Sequence, residues 1–444
     1  MNDQPPEASF LTSWKFWLRS AFFLIVLVLL GLWLSARQSV ATQLAQLRAA
    51  GLPTNATELN DFYAVPDGKV DSKRLWLKAV RAVASGNLLE RGKDLPIIGH
   101  GSATVPDPGQ DWEQYSDAET FISGVSQELE LIHFAADAGG IVRFPVDFTQ
   151  GLNTLLVDTQ AARDVARLLQ LDAYVAAHQG DRNRVLRDVL AMLALSEALQ
   201  AEPCVISQLI RASVFAMAAE SAGTMLSLMD WNDQQLSELQ TVVESIDFRE
   251  GYYRAACGER ATFLDSLGQF PLGPFRNAAT RDALEYFQRS VESFQNDWLE
   301  TIECHRLIAQ EIKEDSQTTI GRYKNIAIAM MFPASLSFAV SGARSQSRQQ
   351  YLLAAICLQR HRLRHGEFPQ SLQQIDVDLL PADIATSGFV DHFTGESLKY
   401  LIGDTSVKVY TVGQNRTDDG GAIEYDEDRR QQLDFGIELK ITTP

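Results

Sequence analysis

The segment that most constrains this chain is Ser20 to Ala36, which reads Ser-Ala-Phe-Phe-Leu-Ile-Val-Leu-Val-Leu-Leu-Gly-Leu-Trp-Leu-Ser-Ala without a charge. Trp14, Phe16, Trp17 and Leu18 extend it toward the N-terminus. With Arg19 snorkelling to the interface, the stretch reaches about 20 residues, the length of one helical bilayer crossing. The expectation is a single transmembrane helix with aromatic anchors at its ends. Lys15 and Arg19 precede the run and Arg37 follows it, so the charge bias is weak. Long downstream domains cross largely regardless of charge, which favours a short cytoplasmic tail and a translocated bulk. The rival is a cleaved signal peptide ending at Leu34-Ser35-Ala36, but Leu34 is not small and the run is long for such a leader.

The 444 residues have room for two or three domains, and 45% hydrophobic with 22% charged residues is ordinary globular composition. A net charge of -18 argues against nucleic acid, whose phosphates require clustered Lys and Arg. It also disfavours broad binding to anionic lipid. Cys204, Cys257, Cys304 and Cys357 are far apart and lack zinc-like spacing. Buried thiols, or one or two disulfides in an oxidising compartment, both remain open, and spacing cannot pair them.

From Thr149 to Lys313 helical periodicity dominates. A helix over Leu152 to His178 should stop at Gln179-Gly180-Asp181, where Gly suits a left-handed C-cap and Asp the next N-cap. In the following helix Val185, Val189, Met192 and Leu199 form one apolar face, with Arg182, Arg184, Arg187 and Asp188 opposite, which reads as a surface helix. A further helix should begin with Pro203 in its first turn, and Asp230-Trp231-Asn232-Asp233 should break the chain and cap the next. Such hairpins suggest an irregular helical array or a closed bundle; the signature of the tetratricopeptide repeat does not recur at its period of about 34 residues. Leu88 to Asp117, rich in Gly, Pro, Asp and Ser, reads as a long surface loop. The apolar stretch Asn325 to Val340 contains Pro333 and is better buried, or laid on a membrane surface, than spanning.

Nucleophile elbows, Walker loops and His-Glu-x-x-His motifs are missing from the sequence. His361 and His365 stand four apart, which would let both rings reach one metal, but Arg360, Arg362 and Arg364 surround them and make a basic helix end the better reading. Glu259 or Glu303 could pair with Arg260 or Arg306 between packed helices, as a buried ion pair fixing register rather than an acid/base dyad. Asn415, Asp418, Asp419, Glu424, Asp426 and Asp428 supply hard oxygen ligands around Gly420-Gly421, a composition suited to calcium although not an EF-hand. A solvated acidic loop would have the same composition.

The final hundred residues have a fixed order of elements: an amphipathic helix into Gly366-Glu367-Phe368-Pro369, a loop with Asp391-His392-Phe393-Thr394-Gly395, then three strands with the acidic loop between the last two. Leu398-Lys399-Tyr400 and Val407-Lys408-Val409 flank a Gly403-Asp404-Thr405-Ser406 turn as a hairpin, and Phe435, Ile437, Leu439 and Ile441 alternate with polar residues. The stretch His361-x-x-Arg364-His365-Gly366-Glu367-Phe368-Pro369, the turn Asp391 to Tyr400 and the stretch Thr411 to Gly421 together resemble the globular end of type II secretion pseudopilins.

The resemblance covers about a quarter of the chain. It implies a small α+β module with antiparallel strands, a bacterial envelope address and a calcium loop. Asp418 and Asp419 carry the ligand role, with Asn415 and Asp426 beside them. Pseudopilins place their hydrophobic segment directly before this domain and carry a prepilin-peptidase site; here the anchor lies far upstream and that site is missing, so filament incorporation is not expected.

The layout expected is therefore mainly α. A cytoplasmic tail and transmembrane anchor occupy residues 1–36, a helical domain residues 37–342, and a pseudopilin-like α+β module residues 343–444. The whole looks like uncharacterised bacterial membrane-anchored envelope proteins: single-pass in the inner membrane, bulk in the periplasm. Its expected partners are other envelope proteins, with a link to secretion or pilus-type machinery, and the membrane through the N-terminal helix. The expectation is a non-enzymatic protein; the alternative is an envelope hydrolase using carboxylates in a cleft of the helical domain.

Overall fold

The computed structural model describes residues 14–99, 105–423, 425, 426 and 431–441. Its first element, α1 (Trp14–Ala49), is one unbroken helix of 36 residues. Its N-terminal half carries exposed Phe22, Phe23, Leu24 and Leu29, and the chain has this one helix, among the described residues, long and apolar enough to cross a membrane. The C-terminal half behaves differently. Ala36 and Leu47 are buried, and this half packs along α12 (Arg276–Ser293).

The helices between start where capping side chains supply acceptors for free N–H groups. Asn55 caps α2 (Ala56–Tyr63), accepting from the Glu58 amide at 2.9 Å. The chain then forms α3 (Lys73–Ser85), α4 (Leu88–Arg91), α5 (Tyr115–Ser123) and α6 (Ser126–Ala138). The Gly- and Pro-rich region expected to be a surface loop is more structured than that. Leu88, Leu95, Ile98 and Trp112 are buried in the main core, and Trp112 lies 5.1 Å from the ring of His178. Its apolar side chains, spaced too irregularly to show periodicity, pin it down.

At the centre, α7 (Val157–His178), α8 (Arg182–Ala198) and α9 (Val205–Leu226) pack on one another. The turn between the first two is as the sequence requires: Gly180 has φ 73°, and Asp181 caps α8 by accepting from the Arg184 amide at 3.1 Å. Helix α8 is not a surface helix with one buried face. Leu186, Asp188, Ala191 and Leu195 are buried as well, because α6 and α10 (Asp233–Glu244) cover sides left free by α7 and α9. Pro203 precedes α9 instead of occupying its first turn, since Cys204 is the N-cap. Asn232 caps α10 in a reciprocal pair with Gln235.

Next come α11 (Phe248–Ser266), α12, α13 (Trp298–Asp315), α14 (Thr319–Lys324) and α15 (Ile326–Met331). The apolar stretch around Pro333 divides there: α15 ends, and Pro333 opens α16 (Pro333–His365), a helix of 33 residues. Ala327, Ile328, Phe332 and Phe338 are buried, whereas Ile326 and Met330 are exposed. Helix α16 crosses the 342/343 position unbroken and packs against α9, α10 and α13.

After α17 (Ala382–Ser387), strands β1 (Lys399–Ile402), β2 (Ser406–Thr411) and β5 (Phe435–Lys440) form an antiparallel sheet in the order β1-β2-β5. Tyr400 faces Val409 and Val409 faces Ile437, so the expected hairpin and last strand pair as the alternation requires. A separate two-residue ladder, β3 (Tyr425–Asp426) with β4 (Gln431–Gln432), comes between β2 and β5 in the chain. Val407, Val409, Ile437 and Leu439 are buried in the same core as Trp76, Trp298 and Leu352. The fold is thus mainly helical, with one apolar N-terminal helix and a small antiparallel sheet near the C-terminus. The four cysteines are free thiols.

Candidate functional site

The acidic loop leaves β2 through Gly413 and turns at Gly420 and Gly421, which have φ 74° and 73°. Asn415 donates from Nδ2 to Asp419 Oδ2 at 3.2 Å. Asp418 Oδ1 accepts from the Tyr410 hydroxyl and from the Gly420 amide, each at 3.0 Å. Glu424 and Asp428 lie outside the described residues, and Asp426 belongs to β3.

One member of this site is not visible in the sequence pattern. Asp434, just before β5, is buried; its Oδ2 accepts from the Gly421 amide at 2.9 Å, while its Oδ1 has no partner. Burial first, then the charges of Asp419 and Asp418, push the Asp434 carboxyl up, against the N–H donation from Gly421. An orphaned carboxylate oxygen beside two more carboxylates fits a hard cation. Among the described residues three such ligand atoms come within 4.8 Å of one another at His361, His365 and Asp376, and not in this loop.

The helical body holds two buried polar clusters. In the first, His133 of α6 meets Asp188 of α8 at 2.7 Å from Nε2 to Oδ1, both side chains being buried. Asp172 lies beside them, paired to Arg184 through Nε to Oδ2 at 3.1 Å and through a second, shorter contact. Burial and then the Asp172 charge raise Asp188 well above the carboxylate range, and burial lowers His133. Both shifts run toward the neutral forms, because burial disfavours charge on either side chain. Glu130, His133, Asp172, Arg184 and Arg187 line a cavity of about 590 Å³ over this cluster.

In the second cluster, Glu202 is buried at the α8–α9 connection. Thr159 donates to its carboxylate at 2.9 and 3.0 Å, and the Tyr63 hydroxyl at 3.4 Å. Burial raises its pKa to about 7 against these donors.

The expected carboxylate–arginine pairing across helices is not what forms. Arg260 is buried and donates to Gln288 Oε1 at 3.1 Å, whereas Glu303 pairs with Arg306 of its own helix at 2.6 Å, on the surface. Glu259 borders a small cavity of about 50 Å³ with Ser290 and His305, and burial raises its carboxyl.

A cavity of about 660 Å³ lies at the seam between helices and sheet. Glu220 and Thr224 of α9, Arg348 and Tyr351 of α16, and Ile437 and Glu438 of β5 line it. Lys440 closes one side by pairing with Asp107 at 2.6 Å. Among the described residues β2 is the one strand paired with β5, so the outer side of β5 borders this cavity.

No protein-family model, characterised protein or solved structure matches the chain.

Proposed function

We propose that this protein is a single-pass component of a bacterial envelope, anchored in the inner membrane with its body in the periplasm. It binds other envelope proteins, near a secretion or pilus-type machine, and is not an enzyme. The observation that carries the reading is the cleft beside β5. β5, whose one strand partner among the described residues is β2, borders a cavity of about 660 Å³ and can take an extended segment of a partner as an additional strand, while Arg348, Glu220 and Glu438 select its side chains. The unbroken α1 supports the address, because its half packed on α12 would hold this cleft at a fixed height above the bilayer. In the same reading the pseudopilin-like end uses calcium, held by Asp418, Asp419 and Asp434, with Asn415 and Asp426 next to them, to fix the loop leading into β5.

Photocrosslinking from position 438 in the native host tests this directly. One or a few discrete adducts are expected; uniform or missing adducts would sink the reading. Carbonate extraction and N-terminal sequencing test the anchor separately, and a mature terminus near Arg37 would remove it.

The His133–Asp188–Asp172 cluster favours one second reading, a hydrolase with its carboxylates in the helical cleft. A buried carboxyl whose pKa is raised, in contact with an imidazole whose pKa is lowered, is the kind of pair that acid–base chemistry uses. Host fractions depleted of a hydrolytic activity by Asp172→Asn, with the fold kept, would favour it.

A further inference from the structure

The end of α16 holds a group that the basic reading of this helix does not explain. His361 and His365 sit one turn apart on the same face, with ring centroids 4.3 Å from each other. Asp376 comes in from the loop after Pro369, its Oδ2 2.9 Å from His365 Nε2 and its Oδ1 3.9 Å from His361 Nδ1. The three ligand atoms all lie within 4.8 Å of one another. His361 is only 8% exposed, and its Nδ1, turned toward Asp376, has no hydrogen-bond partner. An unpartnered buried ring nitrogen facing a carboxylate calls for something between them.

The objection from the sequence is the ring of arginines, and the structure weakens it. Arg360 is taken by Asp233, at 2.7 and 3.2 Å. Arg364 is bound by Asp378 at 3.0 Å through each of two nitrogens, and it holds Asp376 Oδ2 at 2.8 Å, which orients that carboxylate as outer partners of metal ligands do. Arg362 turns away, lying over the Phe368 ring and donating to the Lys440 carbonyl. Two arginines are therefore offset by carboxylates before any cation arrives.

We propose that His361, His365 and Asp376 bind a zinc-like first-row transition ion, with a fourth position open to water or to a ligand from a bound partner. Two imidazoles and one carboxylate suit zinc, cobalt or nickel and not the hard cations of the acidic loop. Ligand atoms about 2.0–2.1 Å from a tetrahedral zinc stand about 3.4 Å apart. The observed 2.9 and 3.9 Å, to the two oxygens of Asp376, bracket that value, and with all three ligand atoms within 4.8 Å of one another the site closes by side-chain movements of about 1 Å. The exposed side of His365 gives the ion its entry path.

Cobalt titration of the metal-stripped, detergent-solubilised full chain tests the site. One equivalent should give intense visible d–d absorption, displaced by zinc. His365→Ala and Asp376→Asn should each weaken binding at least about tenfold. His365 is exposed, so its replacement keeps the fold, which circular dichroism checks, while an Asp418→Ala, Asp419→Ala chain should keep the spectrum. A missing d–d spectrum, or one unchanged in His365→Ala, would overturn the proposal. So would loss of the spectrum in the Asp418→Ala, Asp419→Ala chain.

Discussion

At the scale of single residues the informative groups are buried and polar. Glu202, with a folded pKa of about 7, lies above its ordinary value of 4.5 because the charged form is desolvated. The folded state thus holds a proton that the unfolded state has released between those two values. Its contribution to stability is complete below about pH 4.5 and is lost as pH rises to about 7, a linkage of roughly 3 kcal/mol. Glu202→Gln keeps an acceptor for Thr159 and removes the charge. It should raise the melting temperature at pH 8, leave it nearly unchanged at pH 4.5, and flatten the pH dependence between; an equal loss at both would refute the assignment. Little of this was legible in the sequence. Asp188 falls on the polar side of an amphipathic pattern, and only α6 laid over it turns it into a core residue. Asp376 and Asp434 lie outside the local patterns that mark their sites, so only tertiary contact brings them in. Asp418 and Asp419 were legible because clustered acids and glycines declare themselves locally.

At the scale of elements the strands were the most legible, since alternation of Phe435, Ile437 and Leu439 has one interpretation once a hairpin lies before it. The contacts between elements are harder to read. Gly342 sits where α16 crosses α13, and a Cβ there would stand 2.1 Å from the ring of Trp298, itself fully buried beside Tyr252 and Phe294. Gly342→Ala should cost at least about 1–3 kcal/mol by overpacking. Gly366→Ala, at the left-handed end of the same helix with φ 84° and open space around it, should cost about 1 kcal/mol. Urea melts that rank them the other way would sink the close crossing. The turn after α17 depends on Asp391, a buried carboxylate that accepts from the Phe393 amide at 2.8 Å and the Val412 amide at 2.9 Å, tying the loop to the end of β2. Asp391→Ala strands both donors and should cost about 3 kcal/mol. In the acidic loop, millimolar calcium should raise the melting temperature by mass action, and Asp418→Ala with Asp419→Ala should abolish the rise. A rise unchanged in that chain would leave the loop a solvated acidic surface.

At the scale of the molecule, the cores do not divide where composition suggests. One cluster joins Trp76 and the α7–α9 centre to Leu352 of α16 and to Val407 and Leu439 of the sheet. A second gathers Phe263, Phe287, Ile308, Ile328 and Phe332 from α11 to α15, around the helix on which α1 lies. The smaller cluster is the lobe of α11 to α15, while α16 runs unbroken through the 342/343 position. Cooperative units follow shared buried contacts, so the sheet should open together with α9 and α16, and the smaller lobe should open on its own at lower free energy. Native-state hydrogen exchange on the detergent-solubilised chain reads this out. Amides of β2, β5, α9 and α16 should converge on one opening free energy, with those of α14 and α15 well below it. If β2 and β5 instead exchange through a separate, weaker opening while α16 stays closed, the C-terminal hundred residues are an independent module. A partner strand added to β5 would then stabilise that module alone, and would not be linked to the helical body on which α1 packs.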